Sequence, residues 1–502
     1  MNLKEPVNRH LTGGYVSMMK KFMEIRAVRD VKQILKEITP DTGGETVSLE
    51  ESVGRVLYED VISGINVPGF SKSTVDGYAL LSDDTTGAGE SIPAIMEYKG
   101  RIEMGQPPCS PLFHGECMYV PTGAAIPENC DAVAMVEYCE FLGDEVLVQK
   151  PLANGENIVL KGEDFREGET ALCAGTVLRP QDCGVLAALG IENIQASRRP
   201  VVGIISTGNE LVPVSVIPGA AQIRDINSSL CESFLIKSNC IPRKYGIVRD
   251  DREILLETVK KASEECDAIL ISGGSSKDEN DLTVSVINEL GEVIVHGIAI
   301  APGKPTIIGT ICGKPVIGLP GHPSSAFIIL MALVDDMLWG MQGTIPMRMI
   351  KTARLSENIP SSIGREDYVR VILNEDQAIP LFGKSSLINT LKNSFGIVIV
   401  PESLEGLEEG ETVEVMYGKK ISRPDVPRRC KEDNQGRVRA QTPDKNSSGY
   451  QFSWQSHCRT DILQVLDPYD APQRNGRHSR KDCGHQGCIG TETGEDHRFS
   501  TD

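Results

Sequence analysis

Three Gly/Pro-punctuated loops, SGGSSKDEND (272–281), APGKPTIIG (301–309) and GLPGHPSSAF (318–327), each follow a short β-branched run. A strand that enters a glycine-bearing turn and then a helix is the repeating unit of open α/β sheets. It sets backbone N–H groups and helix N-termini where an anion can sit. One such loop says little. Three within residues 271–327 hold Ser272, Gly273, Gly274, Ser275, Ser276, Lys304, Ser324 and Ser325, and they predict one oxyanion pocket at neighbouring strand ends. VVGIISTGNELV (201–212) adds Ser206, Thr207, Gly208 and Glu210 just past a further strand.

At 502 residues the chain exceeds one ordinary core, and the length asks for about three or four domains. A hydrophobic share of 40% and a charged share of 24% are those of a globular protein. The net charge of −19 disfavours nucleic acid and anionic membrane as partners, so a polyanionic ligand has to meet a local positive pocket. The longest apolar run, Ala326 to Val334, stops at Asp335-Asp336, short of the roughly 20 residues of a bilayer span. Residues 1–22 lack the apolar stretch of a secretory signal, which makes the cytoplasm the expected location. The 14 cysteines are scattered, many in apolar segments such as those of Cys183, Cys266 and Cys312, and read as buried free thiols. CGHQGC (483–488) matches no standard zinc spacing.

Residues 22–38 repeat apolar positions at helical spacing and end before Pro40. From Val67 to Pro151 short strands separated by Pro and Gly predict an inserted β domain (67–150), flanked by an elongated stalk of 22–66 and 151–198. QDCGVLAALGI (181–191) reads as a helix stopped at Gly190. Beyond Arg199-Pro200, VVGIIS, AILISGG, EVIVHGIAI and PVIGLPG alternate with helical intervals, so 199–342 is expected to hold a mostly parallel sheet. GREDYVRVIL, FGIVIVPE and ETVEVMYG supply a C-terminal β domain (343–420). Residues 421–502 have no sustained period and read as a disordered tail.

The chemistry follows from residue type. Gly273 and Gly274 let backbone N–H groups converge on a phosphate, and Asp278, Glu279 and Asp281 beside such a site make sense with Mg²⁺ between the charges. Glu210, Asp225 and Asp281 are the candidate metal ligands. Asp225 or Asn227 in RDINSSL is also a helix N-cap candidate. Pro302 and the following glycine shape a loop in which Lys304 is a compact cation. His322 reads as a structural hydrogen-bonder, since nothing pairs it with a nucleophile.

Seven segments in order, STVDGYAL (73–80), PTGAAIPENCDAVAMVE (121–137), STGNEL (206–211), SGGSSKDEND, PGKP (302–305), GLPGHPSSA (318–326) and GREDYVR (364–370), resemble the molybdopterin molybdenumtransferases, the MoeA-like proteins and the gephyrin E-domain. The resemblance covers about residues 22–420. It implies a fold of α/β plus β class, with a MogA/MoaB-like parallel α/β domain beside the inserted β, stalk and C-terminal β domains. It implies a homodimer whose cleft lies between the α/β domain of one subunit and the β domain of the other. The implied reaction inserts molybdate, or tungstate, into adenylylated molybdopterin and releases AMP, with molybdopterin adenylyltransferase as the upstream partner and Mg²⁺ as cofactor. By motif position Asp76, Thr122, Glu210 and Asp281 are the implied catalytic residues, with Lys304, Ser324 and Ser325 on the anion side. Many relatives carry Lys or Arg just before PGKP, where this chain has Ala301, which implies weaker oxyanion affinity or compensation by Lys277 or Lys314. SHCRTDIL (456–463) faintly resembles the start of a periplasmic-binding-protein-like domain and implies a truncated or frameshifted remnant.

Three other readings fit parts of the pattern. An Mg-ATP-dependent molybdopterin adenylyltransferase shares the α/β domain, a dimeric scaffold shares the gephyrin E-domain architecture, and a nicotinamide-nucleotide amidase shares the α/β fold. The VDGYA and PTGA segments disfavour the last.

Overall fold

The structure, a computed structural model, describes residues 25–273, 282–383, 386 and 388–417. Two stretches far apart in sequence pair to make an elongated piece. Gly44–Ser48 lies antiparallel to Asn193–Ser197, Val61–Ile62 to Thr170–Leu172, and Lys72–Ser73 to Ile158–Val159. A small core of Val47, Leu57, Leu178, Leu186, Ile194 and Ala196 holds it. The helix Pro180–Ala188 belongs here, and Gly190 follows it at φ 73°, the left-handed geometry expected of a helix stop.

Helix Val28–Ile38 falls in the 22–66 range grouped with the stalk, yet it packs elsewhere. Its buried residues Val28, Val31 and Leu35 join the apolar cluster of Val202, Leu270 and Ile317 on one face of the α/β sheet. Periodicity identifies an apolar stripe, and only the fold shows which surface covers it.

Residues 77–148 form a six-stranded sheet in the order Ala132–Met135, Gly77–Leu80, Glu116–Val120, Ala94–Arg101, Glu145–Val148, Cys139–Phe141. Its second strand is buried along its whole length because apolar clusters lie on both sides. Tyr78, Leu80 and Met96 belong to one, and Ala79, Met118 and Val120 to the other.

The α/β sheet has the order Ile241–Val248, Val201–Thr207, Ala268–Ser272, Lys314–Leu319, Ile307–Ile311, Glu292–His296. The first four strands are parallel, and the last two add antiparallel. Helices cover both faces, as a mostly parallel sheet requires. Strand Ile241–Val248 carries no apolar run in its sequence, IPRKYGIV, because it is an edge strand. Pro242 and the charges of Arg243 and Lys244 suit an edge, where unpaired backbone would otherwise recruit another strand.

The third six-stranded sheet gathers Glu366–Asn374, Gln377–Pro380, Met349–Leu355, Thr412–Tyr417 and Gly396–Val400. Its sixth strand is Ile300–Ala301, which pairs parallel with Glu366-Asp367 and so brings the APGKP loop beside GREDYVR.

Helical residues Pro323–Gly340 are the one described stretch long and apolar enough to cross a membrane. Ala326, Ile328, Ile329, Leu330 and Leu333 are all in the main apolar cluster, so this is a core helix. The ten described cysteines are free, but burial is uneven. Cys117, Cys231, Cys240 and Cys266 are buried, Cys183 is half-buried, and Cys312 is exposed in a turn at φ 52°. CGHQGC and the rest of 421–502 lie outside the described residues.

Candidate active site

The carboxyl ends of three parallel strands converge, with Ser206 opposite Ser272 and Ser272 opposite Leu319. At Gly273, φ is 105°, and a Cβ there would sit 2.0 Å from the Thr207 carbonyl oxygen. Only glycine lets the chain turn this close to its neighbour. Behind the turn, Asn227 is 6% exposed and its Nδ2 donates to Ser272 Oγ at 2.7 Å and to the Gly321 carbonyl at 2.9 Å. One amide side chain thereby ties the SGG turn to the GLPGHP turn. Three buried oxygens in this region, Ser206 Oγ, Asn227 Oδ1 and Ser324 Oγ, have no protein partner. A buried polar atom without a partner costs about 1–3 kcal/mol, and a bound ligand or water that uses it removes that cost. Ser325 is also buried, while Lys304 is exposed and its carbonyl accepts from Ile298 N at 2.9 Å.

The STGNEL turn is held by a residue the sequence reading missed. Thr207 Oγ1 donates to Asp250 Oδ1 at 2.9 Å, and the Asn209 N–H donates to Asp250 Oδ2 at 3.2 Å. Asp250 follows the edge strand, whose polar sequence concealed both the strand and its carboxylate. Glu210 is exposed and folds back over Gly208, with its carboxylate 2.8 to 3.0 Å from where a Cβ on Gly208 would lie. Asp225 is the N-cap of helix Ile226–Lys237, its Oδ1 accepting the Ser228 N–H at 3.0 Å. Asn227, the other cap candidate, instead reaches the strand ends. Gly274, Ser275 and Asp281 lie outside the described residues. His322 precedes helix Pro323–Ile329 with no side-chain capping bond, and it is the His322 carbonyl that accepts the Ala326 N–H.

Pro302 opens the APGKP loop after a cis Ala301-Pro302 bond. On the adjoining strand Arg370 is 6% exposed, and one guanidinium nitrogen, Nη1, has no partner. Burial pulls its pKa below the ordinary arginine value. GREDYVR marked this segment, although nothing in the sequence distinguished Arg370 from the exposed Arg365.

Asp76 and Thr122 meet at a corner of the 77–148 sheet. Asp76 Oδ1 accepts the Thr122 N–H at 2.7 Å and its hydroxyl at 3.0 Å. Those bonds, the backbone one first, hold the Asp76 carboxyl below its ordinary pKa, and Arg101 adds to the effect. Gly77 must be glycine here, since a Cβ would fall 2.0 Å from the Ala134 carbonyl oxygen. VDGYA is therefore a close strand junction that also presents a carboxylate.

Residues 26–190 match the MoeA N-terminal region (domain I and II), 203–339 match the family described as "Probable molybdopterin binding domain", and 352–417 match the MoeA C-terminal region (domain IV). The molybdopterin molybdenumtransferase of Haemophilus influenzae is 31% identical over 76% of this chain and 96% of its own length. The chain belongs to the MoeA family. The MoeA-family enzyme of Bacillus subtilis, also named molybdopterin molybdenumtransferase, is 30% identical over 74% of this chain and 90% of its own. A solved molybdopterin biosynthesis MoeA protein of Pyrococcus horikoshii OT3 is 32% identical, with a TM-score of 0.71, and covers 79% of this chain and 100% of its own. All seven segments, from Ser73–Leu80 to Gly364–Arg370, fall within the three matched regions.

Proposed function

We propose that this chain is a molybdopterin molybdenumtransferase, which inserts molybdate or tungstate into the dithiolene of adenylylated molybdopterin and releases AMP. The observation that carries the reading is the set of unpartnered buried oxygens, Ser206 Oγ, Asn227 Oδ1 and Ser324 Oγ, at the strand ends of a MoeA-family α/β sheet. The family match extends over the other two regions as well.

Each step needs little covalent chemistry from the protein. The serine hydroxyls and the turn N–H groups around Gly273 suit the substrate's phosphates, and Asn227 Oδ1 accepts a hydrogen bond from a ligand N–H or O–H. Lys304 and Arg370 lie on adjoining segments and bring positive charge for a tetrahedral dianion. Water attacks the adenylyl phosphorus, the bond to the bridging oxygen of the molybdopterin phosphate breaks, the water proton passes to solvent and AMP leaves. If a molybdate oxygen attacks first, the adenylyl-molybdate formed is hydrolysed by water to AMP and molybdate, so neither route requires a protein nucleophile. Asp76, with Thr122, and Glu210 are the proposed catalytic carboxylates of the described residues.

Mg²⁺ was read onto Glu210, Asp225 and Asp281. One Asp225 oxygen caps a helix, and no three His, Cys, Asp or Glu side chains among the described residues come together as a metal site. Mg²⁺ needs only one or two protein carboxylates beside substrate phosphates, so Glu210 stays the proposed donor, with Asp281 outside the described residues, and no step is routed through the ion. The reading includes a cytoplasmic homodimer that receives its substrate from a molybdopterin adenylyltransferase, and the division into stalk, inserted β, α/β and C-terminal β domains.

The test is AMP release from adenylylated molybdopterin by the full chain, with molybdate, with tungstate and with neither, alongside an ATP-plus-molybdopterin arm. Oxyanion-stimulated release is expected. ATP-dependent adenylylation without oxyanion-stimulated release overturns the reading.

A further inference from the structure

Arg101 ends strand Ala94–Arg101, directly opposite Tyr119 on the neighbouring strand. Its guanidinium carbon lies 4.8 Å from the centre of the Tyr119 ring. Tyr119 pairs with Tyr78, two positions along from Asp76, so the cation stands two rows from the Asp76–Thr122 corner. The segment that continues from Arg101 runs along the same turn, with the Met104 methyl 3.7 Å from where a Cβ on Gly123 would lie. Arg101 and Met104 thus border the surface on which Asp76 and Thr122 are exposed.

The neighbouring cation is engaged differently. Lys99 is flanked by Glu97 at 2.7 Å and Glu116 at 3.1 Å, two carboxylates for one ammonium. Arg101 meets Glu103 at 3.4 Å with both side chains more than half exposed, a contact of little energetic value. A ring within cation–π range of the guanidinium restrains the side chain, so less of its freedom is lost when an anion binds.

We propose that Arg101 is a substrate-affinity residue, a pre-oriented guanidinium that donates to a phosphate oxygen of the ligand bound at the Asp76–Thr122 corner. The inference rests on the molybdenumtransferase reading and deepens it by assigning a phosphate contact to this sheet. Arginine fits because its planar edge offers two parallel donors to a phosphate, whereas lysine offers a point charge.

The experiment measures calorimetric affinity of the full chain for adenylylated molybdopterin, without molybdate, in R101Q, R101K and the unaltered protein at two salt concentrations. Loss of one charge-assisted contact is expected to weaken R101Q about tenfold, with R101K intermediate. The unaltered protein is expected to lose more affinity on raising salt than R101Q does, since the missing charge is the screened one. A folded R101Q with affinity and salt dependence within twofold of the unaltered chain overturns the assignment alone. If the unaltered chain binds no adenylylated molybdopterin, this inference and the functional reading fall together. R29Q, which removes an exposed cation from helix Val28–Ile38, controls for loss of charge in general.

Discussion

Replacing Asn227 with alanine removes the amide that joins two of the site's turns. Two donations disappear, to Ser272 Oγ at 2.7 Å and to the Gly321 carbonyl at 2.9 Å, in a place where Asn227 is only 6% exposed. Ser272 can turn its hydroxyl toward another acceptor, but the Gly321 carbonyl cannot move without its loop. With the Gly321 carbonyl the one buried group left unpaired, the local cost is about 1–3 kcal/mol. Native-state amide exchange reads this directly, because the strand ends open locally before the whole chain unfolds. Exchange protection at Ala268–Ser272 is expected to fall about fivefold to a hundred-and-fiftyfold, with distant protection in Thr412–Tyr417 unchanged. AMP release is expected to fall with it. Asn227→Asp keeps the size and an acceptor but faces the Gly321 carbonyl with another oxygen, so it should not restore protection. If Asn227→Ala leaves protection within threefold and AMP release intact, the reasoning that one amide organises these turns is wrong.

Asp250→Ala frees Thr207 and Asn209 from a shared carboxylate, and AMP release should drop at least tenfold while the circular-dichroism spectrum is unchanged. The Asp76 carboxyl should titrate by carbon-13 NMR below its ordinary value of 3.8, and Thr122→Val should return the midpoint toward it. Because that pKa is depressed in the folded state, the stabilisation from the pair is present above the unfolded-state value and is lost as pH falls through the folded one. Gly273→Ala places a methyl 2.0 Å from the Thr207 carbonyl and imposes φ 105° on an L-residue, at a cost of about 3 kcal/mol or more; calorimetric binding of adenylylated molybdopterin should be lost.

The glycine- and proline-bearing turns at the strand ends were legible because each carries its own local constraint. Gly273 allows a positive φ and a close approach, Ser324 and Ser325 follow a proline that starts a helix, and β-branched runs precede each turn. The parallel strands were legible as apolar runs where both faces are covered. Ile241–Val248 was missed because an exposed edge strand has no reason to be apolar, and Asp250 was hidden with it. Asn227 looked like one more capping residue, and only the approach of Ser272 and Gly321 shows it as a link between loops.

Local sequence determined what each segment can do by itself, such as turn, cap a helix, fill a buried strand or present a hydroxyl, because those properties depend on a few bonds and near neighbours. The tertiary structure decided which of these abilities meet. It set Asp76 against Thr122, 46 positions apart, buried Arg370 without a partner for one nitrogen, and laid helix Val28–Ile38 on the α/β core. Long-range contacts of this kind follow from how sheets and helices cover one another's apolar faces, and no single segment contains that information.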